Sequence, residues 1–128
     1  MVFGFLNKRL SRKSRAKMVG QLVDALNRFD YEAVERLISP DMKVVDAGGY
    51  RLEGAAAVID ADRTFREQAD RPQIIVDTLD HWGKGMLLRG HLESPMAEID
   101  GPLMWRIEFT GNRIGLIETT RPLDRMTA

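Results

Sequence analysis

The period of the apolar residues changes at Arg71-Pro72 from mainly helical to mainly two, and that change restricts the fold to one class. Before it the pattern is mainly helical. Met18, Leu22, Ala25, Leu26 and Phe29 recur three and four residues apart, which predicts one apolar stripe on a helix over about residues 14–28. Asp30 is placed to N-cap a second, shorter helix with Ala33, Val34, Leu37 and Ile38 as its buried face and Ser39-Pro40 as its stop. Residues 42–46 read as a strand, which Ala47-Gly48-Gly49 breaks before Gly54 opens a third helix to about residue 69. After Pro72 the period is two. Residues 73–82, 85–93, 103–110 and 113–120 are rich in β-branched and aromatic side chains, with hairpin turns at 83–85 and 110–112 and a longer connection carrying Pro95 and Pro102. Helices followed by a sequential, mainly antiparallel meander predict an α+β domain.

Length and composition keep this to one domain, predicted over residues 14–121, because 128 residues with 44% apolar side chains suffice for one core. Six of the basic residues, Lys8, Arg9, Arg12, Lys13, Arg15 and Lys17, fall within the first 17 positions with no acid among them. Residues 1–13 therefore read as a basic arm and residues 122–128 as a C-terminal tail. The arm is either a solvated lead-in or a contact for an acidic partner or membrane surface. No aromatic interleaving or finger motif points to nucleic acid. The absence of cysteine excludes disulfides, thiolate metal sites and cysteine nucleophiles. No apolar run approaches the roughly 20 residues that cross a bilayer, so a cytoplasmic protein without an integral membrane segment is expected.

Three helices laid on one face of a curved sheet leave a cone-shaped space, either filled or kept as a pocket for a hydrophobic small molecule. The predicted inward set is Leu22, Leu26, Phe29, Val58, Phe65, Leu88, Leu92, Trp105, Ile107 and Phe109, and its bulk predicts a small cavity. Trp105 is read both as core and as a pocket wall with a polar tip. Alternation sends Arg89, His91 and Glu93 to the other face, with Arg106, Glu108 and Glu118, as a solvated surface or a subunit contact. His81 precedes a turn and reads as surface.

Two carboxylates carry the candidate chemistry. Asp46, at the end of a strand near apolar walls, would be desolvated toward general-base strength, or else it caps the Ala47-Gly48-Gly49 turn with its side chain. Asp62 lies between Val58 and Phe65 at helical spacing, so it is a second polar point of the pocket, or it is a solvated member of the cluster Asp60, Asp62, Arg63 and Arg66. No metal is predicted, since the two histidines lack ligand spacing. No cofactor is predicted either, since Gly48-Gly49 and Gly83-x-Gly85 do not form a phosphate loop, and no serine is framed as a nucleophile elbow.

Leu26-Asn27, Asp30, Ala33, Leu37, Pro40-Asp41, residues 44–46 and Gly54, with the closing strand pair WRIEF and RIGLIETT, carry a resemblance over about residues 16–121. The chain resembles the nuclear-transport-factor-2-like superfamily, which includes SnoaL-like polyketide cyclases and ketosteroid isomerase. The resemblance implies a cystatin-like α+β barrel and a homodimer through the sheet face. It also implies that Asp46 falls where ketosteroid isomerase keeps its catalytic aspartate. That enzyme's two oxyanion donors would fall on Leu22, which cannot donate, and on Trp105, which offers one indole N–H. Two functions follow: a small-molecule binder with Asp46 as general base in isomerase-, cyclase- or dehydratase-type chemistry, or a non-catalytic module with a packed cone and a basic arm for an acidic partner.

Overall fold

The computed structural model describes residues 10–120. Helix α1 (Arg12–Asn27) begins earlier than the apolar stripe predicts because Ser11 is its N-cap, accepting the Ser14 amide at 3.0 Å. Arg12 and Lys13, expected in the basic arm, thus belong to the first turn of this helix, whereas residues 1–9 of the arm and the predicted C-terminal tail lie outside the described residues. The helix ends at Asn27, whose side chain donates to the Ile74 carbonyl at 2.9 Å and accepts the Ile74 amide at 2.8 Å. This pair of hydrogen bonds fixes the end of α1 against the sheet. Asp30 N-caps α2 (Tyr31–Leu37) as the sequence predicts, accepting the Ala33 amide at 3.2 Å.

Strand β1 (Ile38–Val45) follows α2 directly, so Ser39-Pro40 lies inside a strand, at an irregularity between Ile38 and Lys43. Proline is tolerated in a strand at such a point because no ladder hydrogen bond is required of it there. A three-residue strand β2 (Arg51–Glu53), absent from the sequence pattern, pairs antiparallel with β1. Gly54, with φ 99°, turns the chain into α3 (Ala55–Gln68). The four predicted strands follow as β3 (Gln73–Trp82), β4 (Gly85–Glu93), β5 (Gly101–Thr110) and β6 (Arg113–Thr120).

The sheet order is β2-β1-β6-β5-β4-β3, antiparallel throughout except for the parallel β1–β6 pair. The sheet is curved but does not close. The barrel implied by the resemblance is therefore corrected to an open sheet: β2 and β3 are its two edges and do not pair. On the inner face Met86 and Leu88, Leu103, Trp105 and Ile107, and Ile114 and Ile117 meet Val19, Leu22 and Leu26 of α1, Val34 of α2 and Met42 of β1 in one buried cluster. Full burial of each such side chain stabilises by about 1.5–3 kcal/mol. Opposite Gly90, β3 shifts register between Val76 and Thr78, and a Cβ on Gly90 would meet the Ile75 carbonyl oxygen at 1.9 Å. Only glycine fits there.

Helix α1 packs against β3 and β4 at one end of the sheet, and α3 packs against β1 and β2 at the other. The inner faces of β5 and β6 lie between them.

Candidate functional site

A cavity of about 340 Å³ occupies this interval. Its floor comes from Leu103 and Trp105 of β5 and Ile117 and Thr119 of β6, and its walls come from Leu22 and Leu26 of α1 and from Val58, Ile59 and Phe65 of α3. The register that pairs Trp105 with Thr119 sets both on the inner face, as period-two alternation requires. Nearly all the lining is apolar; Asp62, Arg66, Tyr31, Thr119 and the indole nitrogen of Trp105 supply the polar atoms.

Six of the residues expected to line a pocket are gathered here: Leu22, Leu26, Val58, Phe65, Leu92 and Trp105. Leu88 and Ile107 face the same side but are fully buried in the core beside the cavity. Phe109 packs at the edge of that core. Phe29 leaves the α1 stripe altogether. The helix stops at Asn27, Phe29 takes a left-handed conformation with φ 60°, and its ring lies 4.9 Å beneath the Arg71 guanidinium in a separate surface groove.

The polar corner is built by three residues from two helices. The Tyr31 hydroxyl donates to Asp62 Oδ2 at 2.7 Å, and Arg66 Nε donates to the same oxygen at 2.8 Å. Arg66 Nη1 donates to the Pro72 carbonyl at 2.7 Å. That carbonyl is presented because Asp70 and Arg71 both adopt positive φ and fold the chain back over the end of α3. Arg66 is only 2% exposed, so its charge depends on these partners; a buried unpaired guanidinium would cost several kcal/mol. Burial, reinforced by the hydrogen bond to Asp62, pushes the Tyr31 phenol well above its ordinary value of 10.0, so it remains a neutral donor. The Arg63 guanidinium covers the outer face of the Tyr31 ring at 4.9 Å.

Asp46 lies elsewhere. It is exposed in the turn after β1 and is not among the cavity-lining residues. Its Oδ1 accepts the amides of Gly48 and Tyr50, both at 2.9 Å, which is the turn-capping arrangement. Sequence reading did not single out Tyr31, and it grouped Arg66 with surface charges. The available signal for Arg66 was its i, i+4 spacing from Asp62 on a helix; Tyr31 offered none.

On the outer face the strand register places Arg89, His91 and Glu93 with Arg106, Glu108 and Glu118. Arg106 donates to Glu118 at 2.7 Å and also to Glu108, and its guanidinium lies 5.8 Å from the centre of the Trp82 ring. The two carboxylates hold Arg106 firmly in its charged form. His91 Nδ1 stands 3.8 Å from Asp77 Oδ2 at the β3 irregularity. Among the described residues no group of three or more histidine or carboxylate side chains is arranged to hold a metal ion, and no helix is long and apolar enough to cross a membrane.

This architecture is the cystatin-like fold shared by NTF2-like, SnoaL-like and ketosteroid isomerase-like proteins. The chain is similar to a protein of unknown function with a cystatin-like fold from Methylobium petroleophilum, with TM-score 0.79 and 19% identity, covering 94% of this chain and 85% of that one. It is similar to a protein from Kribbella flavida provisionally named a ketosteroid isomerase, with TM-score 0.76 and 15% identity over 92% and 90% of the two chains. A protein from Sinorhizobium meliloti provisionally named a polyketide cyclase gives TM-score 0.74 and 20% identity over 80% of this chain and 93% of that one. By sequence, no family model and no curated protein matches the chain.

Proposed function

We propose that this protein binds a hydrophobic small molecule in the cavity between α1, α3 and the inner faces of β5 and β6. The observation that carries this reading is an apolar cavity of about 340 Å³ with a single carboxylate, Asp62, held in its wall by two donors. Small-molecule sites are typically apolar concavities of about 300–1,000 Å³ with a few convergent polar groups, so this one suits a compact ligand. General-base chemistry in this cavity would draw on Asp62 in preference to Asp46, because Asp62 lines the cavity while Asp46 Oδ1 is occupied by turn amides.

Thermal denaturation in the presence of a panel of mono- and bicyclic hydrocarbons and their oxygenated derivatives tests the reading. A ligand at about 100 times its Kd stabilises by about 2.7 kcal/mol and raises the melting temperature accordingly. Val58→Phe, which fills the cavity, abolishes the shift. A panel without any stabilising compound, or an undiminished shift in Val58→Phe, refutes the proposal.

The same proposal places a second copy of the chain on the outer sheet face. Trp82, 57% exposed beneath Arg106, supports this, together with the row of charges through Arg89, His91, Glu93, Glu108 and Glu118. Sedimentation equilibrium of the parent and of Arg106→Glu decides it: a dimer converted to monomer supports the face as the contact, and a monomeric parent excludes it.

A further inference from the structure

Resting on the reading of the cavity as a ligand site, we infer that its ligand is a neutral apolar alcohol whose hydroxyl donates to Asp62 Oδ1. The polar corner leaves one kind of hydrogen bond to be made. Asp62 Oδ2 already accepts from Tyr31 and Arg66, while Oδ1 accepts nothing among the described residues. Asp62 lines the cavity and not the neighbouring groove, and 24% of its side chain remains accessible. The Tyr31 hydroxyl and Arg66 Nε donate to Asp62 and Arg66 Nη1 donates to Pro72; the remaining guanidinium N–H groups belong to a side chain only 3% accessible, against 24% for Asp62. The accessible polar group that the corner offers a ligand is therefore a carboxylate acceptor.

Charge narrows the class further. Asp62 and Arg66 neutralise each other and Tyr31 is uncharged, so the corner is neutral as a unit. A ligand ammonium would add a positive charge beside the nearly inaccessible Arg66, and a ligand carboxylate would set a second anion against Asp62; both must also be stripped of water in an apolar cavity. A hydroxyl supplies the missing donor with no net charge. Ketones and ethers lack the donor and leave Oδ1 desolvated and unsatisfied, which is the larger share of the penalty. The indole N–H of Trp105 and the hydroxyl of Thr119 also border the cavity and can serve a carbonyl, so the contrast that isolates Asp62 is alcohol against ether.

The experiment is calorimetric titration of the full chain with trans-2-decalol, its methyl ether, trans-decalin-2-carboxylate and trans-decalin. A hydrogen bond to a charged acceptor predicts that the alcohol binds at least tenfold more tightly than the ether, with the carboxylate weaker than the parent hydrocarbon. In Asp62→Asn, with folding checked by circular dichroism, the alcohol-to-ether ratio falls below about threefold, since a neutral amide is the poorer acceptor. Equal binding of alcohol and ether, or tighter binding of the carboxylate, overturns the inference while leaving the ligand site intact. Failure of all four compounds to bind overturns the ligand-site reading with it. The series on the unmutated chain decides the matter even where Asp62→Asn does not fold.

Discussion

Removal of Asp62 strands a buried guanidinium, and the resulting loss of stability can be worked out from its contacts. In Asp62→Ala, Arg66 keeps only the Pro72 carbonyl, at 2.7 Å, and loses the 2.8 Å charge-assisted bond from Nε. A hydrogen bond to a charged group is worth about 1.5–3 kcal/mol, and the Tyr31 hydroxyl loses its acceptor for about 1 kcal/mol more. Breaking one side of a buried ion pair costs about 3–5 kcal/mol. Because 24% of the Asp62 side chain is accessible, water can enter the vacated space, which sets the expected loss near the lower end, about 3 kcal/mol. At about 4 °C per kcal/mol for a domain of this size, the melting temperature falls by about 12 °C. Urea denaturation followed by circular dichroism on the parent, Asp62→Ala, Arg66→Met and the double variant gives the coupling directly. Arg66→Met removes the buried charge while keeping most of the chain volume, so the double variant recovers stability relative to Asp62→Ala, with a coupling energy of about 2 kcal/mol or more. Additive single effects, or a loss below about 1 kcal/mol in Asp62→Ala, would refute the description of Arg66 as a charge held by Asp62.

Three further outcomes are expected. Asp46→Ala loses two exposed turn hydrogen bonds for about 1 kcal/mol and leaves any ligand-induced rise in melting temperature unchanged; loss of ligand response in this variant would move the site to the β1 turn. Gly90→Ala forces the β3 and β4 backbones apart at the Ile75 carbonyl, so urea denaturation should show a loss of about 3 kcal/mol, and a near-neutral effect would contradict the close approach. The Tyr31 phenol is raised in the folded state, so folding retains a proton that the unfolded chain releases: its contribution is full below pH 10 and is lost as pH rises above that value. Tyr31→Phe flattens this alkaline loss and removes the later phase of phenolate absorbance at 295 nm, and a single early phase in the parent would show the phenol to be unperturbed.

What could be read from the sequence divides along the range of the interactions. The stripe of α1 and the alternation of Trp105, Ile107 and Phe109 are local periodicities, and the structure buries Leu22, Ala25, Leu26, Trp105 and Ile107 in the core with Met18 and Phe109 packed against it. Phe29 also fits the helical period, yet a left-handed turn two residues past Asn27 throws it out, and nothing in the spacing announces that turn. Strand β2 has only three residues, too few for a period to register. In the site, Val58, Asp62 and Phe65 share one helical face and could be placed together. The burial of Arg66 could not, because it follows from the Pro72 carbonyl six residues ahead and from Tyr31 on another helix. Asp46 drew attention by its position at a strand end, where a turn cap and a pocket base look alike in sequence.

The parallel pairing of β1 with β6 has a consequence for how the chain acquires its structure. Ile38 pairs with Ile114, so β1 and β6 are joined across most of the domain, while β3, β4 and β5 form by successive hairpins. Closing so long a loop is entropically slow, and contacts of this separation are expected to form late. During synthesis, β1 with its partner β2 has no place in the meander until residues 113–120 have been made. A chain interrupted before Arg113 would hold a three-stranded meander and a detached two-stranded hairpin, with the β6 half of the cavity floor, Ile117 and Thr119, missing. Release of such fragments should expose the Met86 and Ile107 surface to chaperones, and any ligand binding in the proposed site should appear only with the final strand.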